Sequence, residues 1–168
     1  MLRDEKNELD SLKKLMSWLH LIMESPLVII ATNDAFQEFR TLLKSSSLPA
    51  DDLNFQRDLL VSYVEDNVMV GTGGLEIYGD YGLLRSLSVR LGTRGKALGT
   101  AITEFIIAQA RERKLKAIYL LTETARGFFL RKGFTDVSRD QVPAVLQQSS
   151  EFAHVCGKSA IAMHLLLS

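Results

Sequence analysis

The sequence predicts an α+β fold, and three observations support that prediction. The predicted elements run strand, helix, a meander of three strands, and then strand, helix and strand, whereas a doubly wound sheet would alternate strands and helices throughout. The chain has 168 residues, which is close to the usual size of one domain. Its composition of 46% hydrophobic and 24% charged residues is ordinary for a globular protein. We therefore expect one mixed domain, preceded by an extra N-terminal helix.

The first patterned segment, residues 8–24, carries apolar residues at helical spacing. These are Leu9, Leu12, Leu15, Met16, Leu19 and Met23. Pro26 ends this helix, because the residue before a proline disfavours the α conformation. We therefore predict a helical extension over residues 1–25 and a main domain over residues 26–168. The extension either caps the domain or packs on a second copy, so a homodimer is one of two open alternatives.

The first half of the domain is predicted to contain a strand, a helix and the meander. Leu27 opens a short apolar strand, and Asn33 or Asp34 can cap the helix that follows. The predicted strands cover residues 27–31, 59–64, 68–78 and 82–89, and a connector rich in turn-forming residues covers 45–52. The glycine cluster at 71–74 runs into strand-like residues, so we interpret it as a twisted or bulged strand rather than a phosphate loop.

The second half is predicted to add helices and closing strands. Thr124 can cap a helix that stops at Gly133, a glycine placed as a C′ residue should be. Pro143 occupies an early position of a further helix, where proline is tolerated. The predicted helices cover residues 98–113, 125–132 and 142–153, and the predicted strands cover residues 117–121, 134–137 and 160–167. A helix is the alternative for the last of these strands.

Charge and cysteine content exclude several classes of function. Twenty Lys and Arg residues balance twenty Asp and Glu residues, which argues against a general nucleic-acid binder or a binder of acidic membranes. The apolar runs are shorter than the roughly 20 residues that span a bilayer, and the acidic start is not typical of a signal peptide. The single cysteine, Cys156, excludes an intrachain disulfide framework. No spacing of His, Cys and Asp is typical of a metal site. We predict a cytoplasmic protein without a bound metal.

The segment from residue 87 to 99 carries the most chemical information. A strand ends there, a loop with small and basic residues follows, and a long helix begins. Backbone amides at a helix start carry a partial positive charge, and small residues let a phosphate come close to them. Arg94 and Lys96 add charge on either side of Gly95. We therefore predict a pyrophosphate site, but not a P-loop, because Lys96 is followed by Ala97 instead of Ser or Thr.

Two motifs in this chain resemble those of the GNAT family of N-acetyltransferases. Residues 94–99, with residues 87–89 before them, resemble its acetyl-CoA-binding motif, and residues 125–134 are similar to its second motif, which ends in an aromatic residue, a basic turn and Gly-Phe. The resemblance runs from about residue 27 to the C-terminus and implies a mostly antiparallel central sheet flanked by helices, with acetyl-CoA as co-substrate. The residues that it implies for acetyl-CoA binding are Leu87, Ser88, Val89, Arg94, Gly95, Lys96, Ala97, Leu98, Gly99, Thr100, Thr122, Phe129 and Arg131.

A narrower resemblance concerns the acceptor. Stretches at 74–80, 83–89, 120–122 and 151–156 resemble acetyltransferases linked to arsenic-resistance gene clusters, and residues 85–87 also resemble N-acetylglutamate synthases. This resemblance implies a small-molecule amine as acceptor, either an amino acid or an amino-acid-like toxin.

The chain departs from the family pattern at two positions. Ala97 replaces a usual glycine with one extra methyl group, which the predicted cradle should accommodate. Phe129 stands where the family commonly has a tyrosine that protonates the departing CoA thiolate. A thiol pKa of about 8.5 leaves the thiolate at pH 7 only about 2 kcal/mol above the thiol, so loss of this acid is tolerable. Alternatively, another hydroxyl replaces it; the candidates are Tyr78, Tyr81, Ser86 and Thr122.

The resemblance implies direct transfer, in which the amine attacks the thioester while both substrates are bound. A backbone N–H of Ser88 or Val89 would polarise the thioester carbonyl. Glu76, on a strand that borders the presumed cleft, is the candidate base; the alternative is that it occupies the solvated face of that strand.

Arg85 and Ser86 are the candidate substrate-binding residues. The guanidinium fork of Arg85 suits a substrate carboxylate, unless it pairs with Asp80 or Glu76 at an edge. Alternation would place Arg85 among apolar side chains unless a bulge flips the strand.

Two further functional hypotheses stay open. The first is a CoA-binding regulatory module without catalysis, which Phe129 would suggest. The second is an interaction protein that uses the N-terminal helix.

Overall fold

The computed structural model describes residues 25–93, 95, 97–155 and 159–167, with Asp10, Leu12, Lys13, Leu15 and Met16 from the preceding segment. Of His154 and Val155 it describes the backbone alone. The strands are β1 (Leu27–Ile29), β2 (Leu59–Glu65), β3 (Val68–Tyr78), β4 (Tyr81–Val89), β5 (Ala117–Thr122), β6 (Thr135–Asp136) and β7 (Ile161–Leu166). The helices are α1 (Asn33–Ser45), α2 (Leu98–Glu112), α3 (Arg126–Arg131) and α4 (Ala144–Gln147), with a π-helical turn at Glu151–Val155.

The strands form one seven-stranded mixed sheet in the order β1-β2-β3-β4-β5-β7-β6. The β4–β5 pair is parallel and the other neighbouring pairs are antiparallel. This architecture confirms the predicted α+β class with a mostly antiparallel sheet. The strand prediction for the C-terminal segment is also confirmed, because β7 pairs along its whole length with β5.

Helix α2 packs on one face of the sheet, and α1 packs on the other. Ile102 and Ile106 of α2 are fully buried against the sheet together with Leu75. The approach of α2 is close: a Cβ on Gly73 would lie 2.5 Å from Ile102, so only glycine fits at this position of β3. The glycine cluster is therefore part of a strand, as predicted. On the opposite face, Phe39 of α1 is the centre of a second buried cluster.

The N-cap of helix α1 lies one residue before the first of its two predicted caps. Thr32, rather than Asn33 or Asp34, has extended backbone angles, and its hydroxyl accepts the N–H of Ala35 at 3.3 Å. Any of the three side chains could serve as a cap, and the backbone angle at the end of the incoming strand decides which one does.

Two other helix predictions need correction. The N-cap of α3 is Ala125, which supplies no side-chain hydrogen bond, instead of the predicted Thr124. The N–H of Ala125 itself donates to the Thr122 hydroxyl at 2.9 Å. The helix predicted at 142–153 is broken into α4 and the π-helical turn. Ser149 lies at the break, where its hydroxyl accepts the N–H of Phe152 at 3.4 Å and competes with helical hydrogen bonding. The predicted stop at Gly133 is confirmed by its φ of 88°.

The N-terminal segment is described at five positions only, all of them helical. Leu12, Leu15 and Met16 are 52%, 60% and 69% exposed. These three side chains are thus largely exposed, and both the boundary at residue 25 and the role of the extension stay predictions. In the described part of the chain, no helix combines the length and apolar character needed to cross a bilayer.

Candidate functional site

A cavity of about 340 Å³ opens where β4 and β5 separate. The two strands pair only between Tyr81–Leu83 and Ala117–Tyr119, and both then continue without pairing. The cavity walls include β4 residues 84–87, β5 residues 120–122, connector residues 47–49, and the side chains of Phe129 and Glu151. A volume of this size is typical of a small-molecule site.

A β-bulge at Ser86 shapes the β4 wall. The register between β3 and β4 shifts there, and Ser86 has a left-handed φ of 59°. Because side chains alternate between faces, the extra residue moves everything after it to the other face. Arg85 thus stays on the face of Leu83, whereas Leu87 packs in the core beneath α2. The strand therefore does contain a bulge, but the bulge follows Arg85 and does not move Arg85 off the face of Leu83.

The register also decides which β4 amides face the cavity. The N–H of Arg90 donates to the carbonyl of Val70 at 2.8 Å. This bond lies next to the pair formed by Gly71 of β3 and Val89 of β4. Two residues earlier, Ser88 therefore directs its N–H toward β3 as well. Leu87 directs its N–H to the opposite edge, where β5 has diverged. Of the two predicted carbonyl donors, Ser88 and Val89, the geometry argues against Ser88, and it adds Leu87, which was not predicted as a donor and lines the cavity. Val89 has the same orientation as Leu87.

The turn before α2 presents exposed backbone suited to an anion. Gly95 has a φ of 91°, and a Cβ added there would have no atom of the described residues within 4 Å. Ala97 is left-handed with a φ of 60°, a conformation that explains why the family usually has glycine here. Its methyl group cannot accept a hydrogen bond, so the N-cap residue leaves the first amides of α2 available to water or a ligand. These amides belong to Leu98, Gly99 and Thr100. Arg94 and Lys96 lie outside the described residues.

The other predicted cofactor residues divide between the cavity and a separate groove. Thr122 and Phe129 line the cavity. Gly99 lies beside Phe128, whose ring is 5.1 Å from that of Phe129, so apolar side chains in contact with each other extend from the turn to the cavity wall. Arg131 instead lines a groove between α2 and α3. The structure does not bring Arg131 into the cavity.

Arg85 is 1% exposed and is surrounded by three carboxylates. Its Nη1 lies 2.5 Å from Oδ2 of Asp52 and 2.6 Å from Oε1 of Glu76. Its Nη2 lies 2.9 Å from Oδ1 of Asp52 and 3.0 Å from Oε1 of Glu151. Both ends of the guanidinium are therefore filled by carboxylates of this chain. Of the two alternatives for Arg85, the structure favours the pair with Glu76 over a substrate carboxylate, although the pair is buried and not at an edge.

Glu76 lies one layer behind the cavity wall. It is 3% exposed, which excludes the alternative of a solvated strand face. Its second oxygen accepts a hydrogen bond from the Tyr78 hydroxyl at 2.5 Å. Among the described residues, Glu151 is the member of the Arg85 cluster that lines the cavity together with Arg85 itself. Glu76 could reach a substrate only through a water molecule or a displaced side chain.

Three carboxyl groups surround one guanidinium, so acidic groups outnumber basic ones in the cluster by two. Burial opposes ionisation of Asp52, but the hydrogen bond and charge of Arg85 outweigh it and hold the pKa of Asp52 below its usual range. Burial also opposes the charge of Arg85, yet the hydrogen bond to Asp52 and the charges of Glu151 and Glu76 raise its pKa. Burial and the hydrogen bond to Glu76 raise the pKa of Tyr78, which therefore stays a donor at neutral pH.

We expect this cluster to make stability depend on pH through Asp52. A carboxyl group with a lowered folded-state pKa stabilises the fold above its unfolded pKa, and the contribution is lost as pH falls through the folded pKa. The unfolding free energy of the wild type should therefore drop as pH falls below about 4, and the drop should be shallower for Asp52→Asn. Urea titrations at several pH values measure this difference.

Asp51→Asn is the matched control for Asp52→Asn. Asp51 is the neighbouring residue, pairs with Arg40 at 2.5 Å and is exposed. Salt screens exposed pairs more strongly than buried ones, so added salt should remove the effect of Asp51→Asn and leave most of the effect of Asp52→Asn. Equal salt sensitivity of the two variants would contradict the assignment.

Sequence reasoning did not single out Asp52 or Glu151. Asp52 lies at the end of the connector, 33 residues from Arg85, and Glu151 lies beyond the break in the predicted helix. Asp52 belongs to no local pattern with chemical meaning, and Glu151 opens the stretch 151–156 that carries the narrower resemblance but was given no role. A signal was present only in Arg85, since a guanidinium predicted on a core strand requires carboxylates somewhere else in the chain.

Comparisons with known proteins identify a curated relative of this chain. A curated amino-acid acetyltransferase of Mycobacterium tuberculosis is 32% identical over 77 residues, which are 45% of this chain and 44% of that protein. The match thus spans less than half of the relative's length.

Solved structures share the fold over a larger part of the chain. A Mycobacterium tuberculosis protein in complex with CoA is 21% identical, with a TM-score of 0.66 and coverage of 84% of this chain and 99% of that one. The N-acetylglutamate synthase of Neisseria gonorrhoeae, complexed with coenzyme A and N-acetyl-glutamate, is 15% identical, with a TM-score of 0.67 and coverage of 84% and 35%. The model of the acetyltransferase (GNAT) family matches residues 28–134, more than half of the sequence, and this chain therefore belongs to the GNAT family.

Proposed function

We propose that the protein transfers the acetyl group of acetyl-CoA to the amine of a small molecule, with both substrates bound at once. The observation that supports this most directly is the cavity between the separated β4 and β5, to whose wall the side chains of Phe128 and Phe129 extend from the turn before α2. Acetyl-CoA supplies an activated acyl group, and this chain supplies binding, orientation and proton transfer.

The turn before α2 is the proposed site for the pyrophosphate of acetyl-CoA. Amides at Gly95 and in the first turn of α2 can donate to phosphate oxygens, and the helix dipole favours negative charge there. Arg94 and Lys96 are proposed to add charge. The acyl arm would then pass Phe128 and enter the cavity.

In the proposed complex, the thioester group of acetyl-CoA binds at the edge of β4. The N–H of Leu87 faces the cavity beside the bulge and is positioned to donate to the thioester carbonyl. Such a donor stabilises the negative charge that develops on the oxygen during attack.

The amine must lose a proton before or during the attack, since alkyl ammonium groups have a pKa of about 10. We propose that Glu151 receives this proton, because its carboxylate is on the cavity wall. Glu76, the base expected from the sequence, would instead fix Arg85 or act through water. The excess of two acidic groups over basic ones beside the cavity favours a cationic acceptor, which an ammonium group provides.

The amino-acid or amino-acid-like acceptor expected from the sequence is kept as the finer proposal. The name of the curated relative, an amino-acid acetyltransferase, supports it. Carboxylates of this chain already contact both Nη atoms of Arg85. A carboxylate group on the substrate would therefore have to bind to a different residue. The link to arsenic resistance, the homodimer and the cytoplasmic location also stay proposals.

Gly99→Trp should abolish acetyl-CoA binding, and this prediction tests the pyrophosphate site. An indole at the first turn of α2 would cover the amides of this turn and the proposed route past Phe128. We expect the dissociation constant measured by calorimetry to rise by roughly 100-fold or more, equivalent to about 2.7 kcal/mol. Thermal unfolding followed by circular dichroism should show a folded protein.

Gly99→Ala is the matched control. A Cβ at residue 99 would lie 3.7 Å from Phe128 and 3.8 Å from Val89, which are ordinary contacts. This variant should bind acetyl-CoA like the wild type. Unchanged affinity in Gly99→Trp would refute the site at this turn. Release of CoA thiol on addition of an amine panel then separates a transferase from a CoA-binding regulatory module.

A further inference from the structure

The connector that follows α1 supplies one wall of the cavity. Its residues 47–49 line the cavity. Ser46 is the C-cap of α1, and Ser47 has a left-handed φ of 57°, so the chain turns away from the helix at this point. Ala50, which follows the three lining residues, is 3% exposed. The wall therefore runs from a helix end into the core.

Two side-chain contacts join the connector to β4. The hydroxyl oxygens of Ser46 and Ser88 lie 2.6 Å apart and share a hydrogen bond, in which either can be the donor. Ser88 is 7% exposed, so the bond is partly shielded from water. Six residues after Ser46, Asp52 accepts hydrogen bonds from both Nη atoms of Arg85. The three lining residues thus lie, along the chain, between two attachments to the same strand.

The bulge at Ser86 makes this double attachment possible. In a regular strand, residues 85 and 88 would point to opposite faces. In this sheet, Arg85 pairs with Gly74 and Ser88 pairs with Thr72, and those two partners are two residues apart on β3. Arg85 and Ser88 therefore share a face, because the bulge adds one residue between them. One segment can thus contact β4 on both sides of the bulge.

We propose that the Ser46 and Ser88 hydroxyls are positioning groups, which hold the connector wall against β4 and thereby fix the part of the cavity that receives the acceptor amine. This inference rests on the proposed transfer from acetyl-CoA. The amide of Leu87, the proposed donor to the thioester carbonyl, lies on β4 between the two attachments. The distance of the wall from that amide sets the space in which the amine approaches the thioester.

Loss of the hydroxyl pair should loosen the wall without unfolding the domain. Asp52 still holds the far end of the connector on Arg85, and Ala50 stays in the core. The substitution changes neither the Leu87 amide nor the Glu151 carboxylate. Binding of the acceptor should therefore weaken, while the rate of the fully bound complex should stay almost the same.

The test is Ser46→Ala, with butylamine, L-lysine and L-glutamate as trial acceptors. We expect the acceptor KM to rise by roughly 3- to 10-fold, the factor equivalent to one ordinary hydrogen bond. The kcat and the dissociation constant of acetyl-CoA should stay within about 2-fold of the wild type. Ser88→Ala should raise the acceptor KM by a similar factor, and the double variant should show no larger effect, because both substitutions remove the same bond.

Hydrogen exchange measures the wall without any reaction. Amides of residues 47–53 should exchange faster in Ser46→Ala than in the wild type, whereas those of β5 should not. Ser45→Ala is the matched control, since the Ser45 hydroxyl donates to the Leu42 carbonyl within α1 at 2.7 Å. This control should keep the acceptor KM and the connector exchange of the wild type.

An unchanged acceptor KM in Ser46→Ala would overturn the inference. Equal losses in kcat and in acetyl-CoA affinity would also overturn it, because they would indicate a general structural role for the bond. A wild-type protein that acetylates no amine would refute the proposed function, and the exchange of residues 47–53 would still decide whether the two hydroxyls hold the connector.

Discussion

Replacing Arg85 with methionine should lower the unfolding free energy by about 3–5 kcal/mol at pH 7, as expected when one partner of a buried ionic cluster is removed. The variant would leave Asp52, Glu76 and Glu151 close together without their shared cation. Methionine fills a similar length of side chain, so the loss comes from charge and not from a large cavity. Urea unfolding followed by circular dichroism measures the change.

The pH dependence of Arg85→Met distinguishes charge from packing. Without the guanidinium, burial and mutual repulsion should raise the carboxyl pKa values above those of the unfolded chain. The folded variant then binds more protons than the unfolded one, so its stability increases as pH falls. The difference in unfolding free energy between the variant and the wild type should therefore become smaller between pH 7 and about pH 5. If the difference in unfolding free energy stays constant over this pH range, lost packing and not charge is the main cause of the destabilisation.

Lys116→Met is the matched control for Arg85→Met. Lys116 also pairs with a carboxylate at 2.5 Å, that of Asp80, but both side chains are more than half exposed. Exposed pairs contribute little to stability and are screened by salt. The unfolding free energy of this variant should be close to that of the wild type at all pH values.

The architecture was largely predictable because its elements are encoded locally. The alternation from 68 to 78 and the helical spacing after residue 98 reappear as β3 and α2 with nearly the predicted bounds. Helix starts were less predictable, since Thr32, Asn33 and Asp34 are all good caps and only the path of the incoming strand selects one.

The site was predictable only where a contiguous segment forms it. The separated strand, the bulge and the turn before α2 lie within residues 84–99, so their chemistry could be inferred from the sequence. The partners of Arg85 could not, because Asp52 and Glu151 come from distant loops whose docking depends on tertiary packing. The same limit applies to the choice between Glu76 and Glu151 as the base, because a strand pattern does not show that Glu76 is buried behind Arg85.

Comparing Glu151→Gln with Glu76→Gln should identify the base. Glu151 is on the cavity wall, whereas Glu76 is held behind it by Arg85 and Tyr78. We expect Glu151→Gln to lower kcat/KM by roughly 100- to 1000-fold near neutral pH, within the range typical of general base catalysis. The loss should shrink as pH approaches the pKa of the acceptor amine, about 10, because the amine is then deprotonated without help.

Glu76→Gln should lower the rate less, and by a factor that does not depend on pH, if Glu76 only holds Arg85. Glutamine keeps one oxygen that can accept from the guanidinium, so the cluster should persist. Tyr78→Phe is the control, because it removes the hydrogen bond to Glu76 but leaves both carboxylates. A pH-dependent loss in Glu76→Gln, with a profile for Glu151→Gln that matches the wild type, would return the role of base to Glu76. Because both side chains contact the same guanidinium, only the pH profile, and not the size of the loss alone, separates proton transfer from positioning.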